Sequence, residues 1–82
     1  MTVNDAVAER ISKLLLEKGW KLYKLEKSSG IEHGTMQRIT NHENKTVTLS
    51  TVIRIARGFN MSLLDFLNDE LFLSEDLELE KP

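Results

Sequence analysis

Residues Lys21–Ile39 read KLYKLEKSSGIEHGTMQRI, and this stretch decides the fold. Leu22 and Leu25 set an apolar side, and Lys27-Ser28 a polar one, on a short helix. Gly30 takes φ > 0 without a Cβ penalty, so the chain turns there. Ile31 is an apolar plug, and Glu32 stands where a cap would precede a second helix. In that helix Met36 and Ile39 share one face at i, i+3 spacing, which leaves His33, Gly34, Gln37 and Arg38 outside. Helix, glycine turn and polar-faced helix make the helix-turn-helix pattern, whose second helix can lie in a DNA major groove.

Upstream, Asn4 or Asp5 is expected to cap a helix running to about Lys18. Val7, Ile11, Leu14 and Leu15 give it a core stripe, and Glu9 and Lys13 an outer i, i+4 pair. Gly19 ends that helix. Trp20 follows, as a core anchor or an exposed interface contact, and the burial habits of Trp favour the anchor. Downstream, Asn41 to Val47 is polar and reads as a loop. Thr48 caps a helix through Arg57 with Leu49, Val52, Ile53 and Ala56 on its inner face, and Gly58 stops it with Phe59 folding back. Ser62 opens a last short helix, with Asp65 at the capping-box position and Leu63, Leu64, Phe66 and Leu67 inside. The expectation is an all-α fold of five helices, with a domain over residues 1–68 and an acidic tail over 69–82.

Composition narrows the class. Eighty-two residues suffice for one small core without staples. No cysteine is present, so disulfides and thiolate metal sites are excluded, and a cytoplasmic location is expected. No apolar run nears the ~20 residues of a membrane span, and MTVNDAVAER does not read as a signal peptide. The net charge of −2 hides an asymmetry. Residues 1–60 carry ten bases against six acids, net +4, whereas residues 61–82 carry seven acids against one lysine, net −6. A mildly basic body suits phosphate contact without requiring it. In the tail, Leu71, Phe72, Leu73, Leu77 and Leu79 are interspersed with acids, more apolar content than a disordered tail usually carries, and Leu77-Glu78-Leu79-Glu80 alternates as a strand would. Either it solubilises as a frayed extension, or it packs on the domain or on a second subunit.

In order and spacing, LYKLEKSSGIEHGTMQRI followed by TLSTVIRIARGFNMSLLDFL resembles the phage-repressor-like (Xre, Cro/cI-type) helix-turn-helix transcriptional regulators, over Ile11 to Leu67. The resemblance implies a compact five-helix lambda-repressor-like domain with the helix-turn-helix at helices 2 and 3. It also implies binding to double-stranded DNA, commonly as a homodimer. Several positions depart from the family pattern. Glu26 stands where a small residue is usual, so its carboxylate must bend toward solvent or the two helices must sit apart. Leu22 replaces a frequent Gln. Leu15 and Thr40 replace an Arg–Glu pair together, an apolar exchange that strands neither charge. His42 replaces a glycine, so the loop after the second helix of the motif should differ in shape.

Set on that frame, Lys21 and Lys45 are the phosphate candidates, and Asn41 could reach a phosphate or a groove edge. Arg38 can bind guanine bidentately and Gln37 adenine. His33 can donate or accept, Gly34 lets the backbone approach, and Glu32 could cap the helix or accept from cytosine. Thr35 is small and could pack under the turn. Tyr23 either places its hydroxyl on a phosphate or lies over the core. Catalysis has no support in the sequence: His33 and His42 have no acid cluster at ligand spacing, and no phosphate loop or nucleophile–base pair stands out. No cofactor, metal, membrane or small-molecule substrate is expected. A second class stays open, a protein-interaction module of antitoxin or antirepressor type using the acidic tail.

Overall fold

In a computed structural model, described over residues 1–44 and 46–79, the chain is all helical. The elements are α1 (Val3–Lys18), α2 (Leu22–Ser29), α3 (His33–Thr40), α4 (Leu49–Gly58), α5 (Leu63–Leu67) and α6 (Glu70–Leu73). The five expected helices are present, and α6 adds a single turn in the tail.

The cap of α1 lies earlier than expected. Thr2 Oγ1 accepts from the Asp5 amide at 3.1 Å, and Asp5 Oδ2 accepts from the Thr2 amide at 2.9 Å. This capping box satisfies two donors that would otherwise have no partner, so the helix starts ahead of Asn4. Asn4 is instead fully buried and donates through Nδ2 to the Ile39 carbonyl at 3.4 Å. Val7, Ile11 and Leu14 form the core stripe, with Leu15 at its half-buried edge.

Gly19 (φ 66°) and Gly30 (φ 72°) both close helices in the left-handed region. Trp20 is half-buried and stacks on the fully buried Phe59, ring centroids 5.6 Å apart, so it anchors the core while Lys24 sits over its ring at 4.5 Å. Arg54 Nη2 donates to the Gly30 carbonyl at 2.8 Å and ties the turn between α2 and α3 to α4.

The inner face of α4 differs from the expected one. Val52, Ile55 and Ala56 are buried, continuing into Phe59, whereas Leu49 is 62 % exposed and Ile53 half-buried. Both phasings satisfy a helical period, and docking against α2 selects between them. Gly58 is the last residue of α4 and lies where that helix meets α2. In α5, Ser62 accepts from the Asp65 amide as expected, and Phe66 is fully buried, but Leu64 is 80 % exposed.

The acidic segment packs on α1. Asp69 caps α6 by accepting from the Leu71 amide, and it pairs with Arg10 at 3.4 Å and Lys13 at 3.2 Å. Phe72 lies against Phe66, centroids 6.0 Å apart. Of the strand-like alternation over residues 77–80, Glu80 lies outside the described residues; the rest makes one parallel bridge, Thr2 with Glu78, in which the Glu78 amide donates to the Met1 carbonyl at 2.9 Å. Arg10, 8 % exposed, is the one buried basic side chain among the described residues. It donates to the Phe66 carbonyl at 2.7 Å, an acceptor that the short helix α5 leaves open, and to the Asp65 carbonyl at 3.0 Å, which also accepts from the Asn68 amide at 3.3 Å.

Candidate nucleic-acid interface

Helix α3 is short, and its two faces differ sharply. Met36 (0 % exposed) and Ile39 (1 %) plug the core, while His33, Gly34, Gln37 and Arg38 are all exposed. Positions i, i+1, i+4 and i+5 share one side of a helix, so these four make a continuous polar ridge. No other segment among the described residues covers it. The Gly30 turn produces this exposure: its amide donates to the Glu26 carbonyl at 3.0 Å, which ends α2, and Ile31 is buried to seat the start of α3.

Around the ridge each candidate has a definite place. Arg38 Nη2 donates to Thr35 Oγ1 at 3.2 Å, so the guanidinium lies back along the helix and Thr35 is half-buried beneath it. Gln37 makes no side-chain hydrogen bond among the described residues. Glu32 occupies the N-cap of α3 with φ −61° and ψ 146°, but its carboxylate caps nothing. Lys21 holds the equivalent position before α2 and is exposed. Tyr23 is 64 % exposed with Lys27 Nζ 5.0 Å from its ring centre, so the ring does not lie over the core. Asn41 closes α3, its amide donating to the Gln37 carbonyl at 2.8 Å, and its side chain reaches Glu43 at 3.4 Å. Lys45 lies outside the described residues.

Two of the family departures are resolved by contacts that one-dimensional spacing does not reveal. Glu26 does not bend toward solvent: its carboxylate, 12 % exposed, accepts from Nδ1 of His33, the first residue of α3, at 2.7 Å. His42 takes φ 62°, the left-handed region that a glycine would enter freely, and its Nδ1 meets Asp5 Oδ1 at 2.5 Å. The bond to His42, reinforced by the Thr2 amide, holds the Asp5 carboxyl down to about 2 from an ordinary 3.8. A side chain thereby offsets a backbone conformation that a β-carbon disfavours. Residues 15 and 40 carry no ion pair. Leu15 packs at the core edge, and Thr40 Oγ1 donates to the Met36 carbonyl at 3.0 Å.

Lys21, Lys24, Lys27 and Arg38 are exposed bases in or beside α2 and α3, with the exposed acid Glu32 at the N-cap of α3. Among the described residues no three His, Cys, Asp or Glu side chains converge as a metal site, and no helix is long and apolar enough to cross a membrane.

An all-helical domain with a glycine-turned helix pair and an exposed polar second helix is a helix-turn-helix DNA-binding module. The model of the Cro/C1-type HTH DNA-binding domain matches residues 10–70, and the chain belongs to that family. It is a family of DNA-binding regulators rather than enzymes. No curated protein and no solved structure matches the chain.

Proposed function

We propose that the chain is a sequence-specific transcriptional regulator that lays α3, His33–Thr40, in the major groove of double-stranded DNA. The observation that carries this reading is the division of α3 into a buried face of Met36 and Ile39 and an exposed face of His33, Gly34, Gln37 and Arg38. Arg38 has donors left over after its bond to Thr35, and a guanidinium matches the two acceptors of guanine. Gln37 can serve adenine in the same bidentate way. Lys21, Tyr23, Asn41 and Lys45 would supply backbone contacts that set register without reading bases. Glu32, Gly34 and Thr35 complete the surface presented to the groove.

As a homodimer the protein would read two half-sites about 34 Å apart. Of the apolar residues near the C-terminal end, Phe66 is buried, Leu71 and Phe72 are half-buried, and Leu73 is 72 % exposed. Leu73 and the equally bare Leu64 therefore offer the apolar surface there for a second copy.

Selection of bound sequences from random DNA tests the reading. Arg38→Ala should flatten base preference at one position of the selected site, whereas Lys21→Ala should weaken all sequences alike and reduce the salt slope by about 1. Equal losses on selected and random DNA from Arg38→Ala would refute the assignment. One observation favours a second reading, a protein-interaction module of antitoxin or antirepressor type. The acidic segment packs on α1, and its Glu78 and Leu79 line a groove shared with His42, Glu43 and Asn44 of the loop after α3. If that segment guards the DNA face, removing residues 69–82 raises DNA affinity; if it serves a dimer, removal lowers it.

A further inference from the structure

The contact between α2 and α3 has a chemical consequence for base reading. His33 is the first residue of α3 and its side chain is 66 % exposed, yet its Nδ1 lies 2.7 Å from Glu26 Oε2. A carboxylate has no hydrogen to give, so Nδ1 must carry one. In a neutral imidazole the other nitrogen, Nε2, is then a bare acceptor, and it has no partner among the described residues. Glu26 is itself well held. Its side chain is 12 % exposed, its carbonyl accepts from the Gly30 amide at 3.0 Å, and Arg54 clamps the Gly30 carbonyl at 2.8 Å.

A free histidine can exchange tautomers and present either an acceptor or a donor at Nε2. Here one choice is removed. In the major groove only adenine N6 and cytosine N4 offer hydrogen-bond donors, whereas guanine and thymine edges present acceptors and the thymine methyl. We infer that His33 is a specificity-determining residue that accepts from the amino group of adenine or cytosine through Nε2, and that Glu26 is its positioning residue, fixing the tautomer. The inference rests on the reading of α3 as the groove helix and adds which base class its first residue selects.

The test combines sequence selection with spectroscopy on the full chain at pH 8, above the ordinary imidazole range. Long-range 1H–15N correlation of the imidazoles should show the Nδ1–H tautomer for His33, assigned by its loss in His33→Ala. Selection with the wild-type chain should yield one position restricted to adenine or cytosine. Replacing that base by guanine should weaken binding by about fivefold or more, as expected for loss of a base-edge contact. His33→Ala should abolish the restriction. Glu26→Ala should return a mixed or Nε2–H tautomer and spread the preference at the same position, leaving the position read by Arg38 unchanged. Glu26→Gln, whose amide oxygen still accepts from Nδ1, should keep both tautomer and preference. Circular dichroism melts of each variant confirm folding before the comparison.

A wild-type ring found as Nε2–H, a folded Glu26→Ala that keeps the base restriction, or a His33→Ala that weakens all sequences equally overturns the inference and leaves the regulator reading standing. Absence of any sequence preference in the wild type, with the Nδ1–H tautomer intact, overturns the regulator reading and this inference with it.

Discussion

Two glycines, Gly34 on α3 and Gly58 at the end of α4, make opposite demands, and the same substitution at each separates packing from propensity. A β-carbon built on Gly58 would stand 2.8 Å from Ser29 Cβ, 3.1 Å from Leu25 Cδ1 and 3.1 Å from Ser29 Cα. Optimal carbon contacts lie near 3.5–4.0 Å, so Gly58→Ala forces α2 and α4 apart or twists them. Overpacking of this kind costs about 1–3 kcal/mol. Alanine recovers at most ~1 kcal/mol of helix propensity, and less at the last residue of α4, where Gly58 sits. The expected net loss is about 1–2 kcal/mol. At Gly34 the β-carbon would meet only Arg38 Nη1, at 3.8 Å, an ordinary contact. Gly34→Ala should therefore stabilise, by about 0.5 kcal/mol, because it removes only backbone freedom from the unfolded chain. Urea unfolding followed at 222 nm measures both, and a domain of this size should shift its melting point by about 4–8 °C per kcal/mol. A Gly58→Ala chain as stable as the wild type would refute the close approach of α2 and α4. DNA titration of Gly34→Ala then shows whether the added methyl blocks the groove: if Gly34 serves close approach, affinity falls while stability rises.

Further outcomes follow from contacts elsewhere in the chain. Asp5 titrates at about 2 when folded against 3.8 ordinarily, so the stability it contributes is complete above about pH 4 and is lost as pH falls toward 2. In His42→Ala its carboxyl should titrate higher, read by NMR, and the acid limb of stability should move up in pH; an unmoved Asp5 would refute the pairing. Arg10→Ala leaves the Phe66 carbonyl without its donor, the Asp65 carbonyl with the Asn68 amide alone and Asp69 without one partner, and should cost about 2–4 kcal/mol in urea unfolding. Phe72→Ala, which uncovers Phe66, should cost about 1–2 kcal/mol and raise amide exchange in α6 and the Glu78 bridge. A loss under 0.3 kcal/mol would show that the segment after Asn68 is not part of the cooperative unit.

The helix-turn-helix was legible in the sequence because its determinants are local. Gly30 marks the left-handed turn, Met36 and Ile39 mark the buried face by spacing alone, and the polar positions between them are exposed by default. The inner face of α4 was not legible, since Leu49, Val52, Ile53 and Ala56 satisfy the helical period as well as Val52, Ile55, Ala56 and Phe59 do. Only docking on α2 chooses. The cap at Thr2 was written in the sequence as Thr-x-x-Asp, a capping box with an aspartate in place of the longer acid, and competed with two good caps beside it.

Residue types, helical periods and turn glycines determined by themselves that this chain is all helical with a helix-turn-helix, because each of those signals acts over four residues or fewer. DNA binding came from the resemblance of its two segments, in order and spacing, to the Cro/C1-type family. The pairs that give the interface its particular character are decided by the tertiary structure alone. Glu26 meets His33 across the turn, His42 meets Asp5 from 37 residues away, and Arg10 reaches α5 from 55 or more. A side chain's partner across such distances depends on how helices dock, and docking is a property of the whole core rather than of any window of sequence.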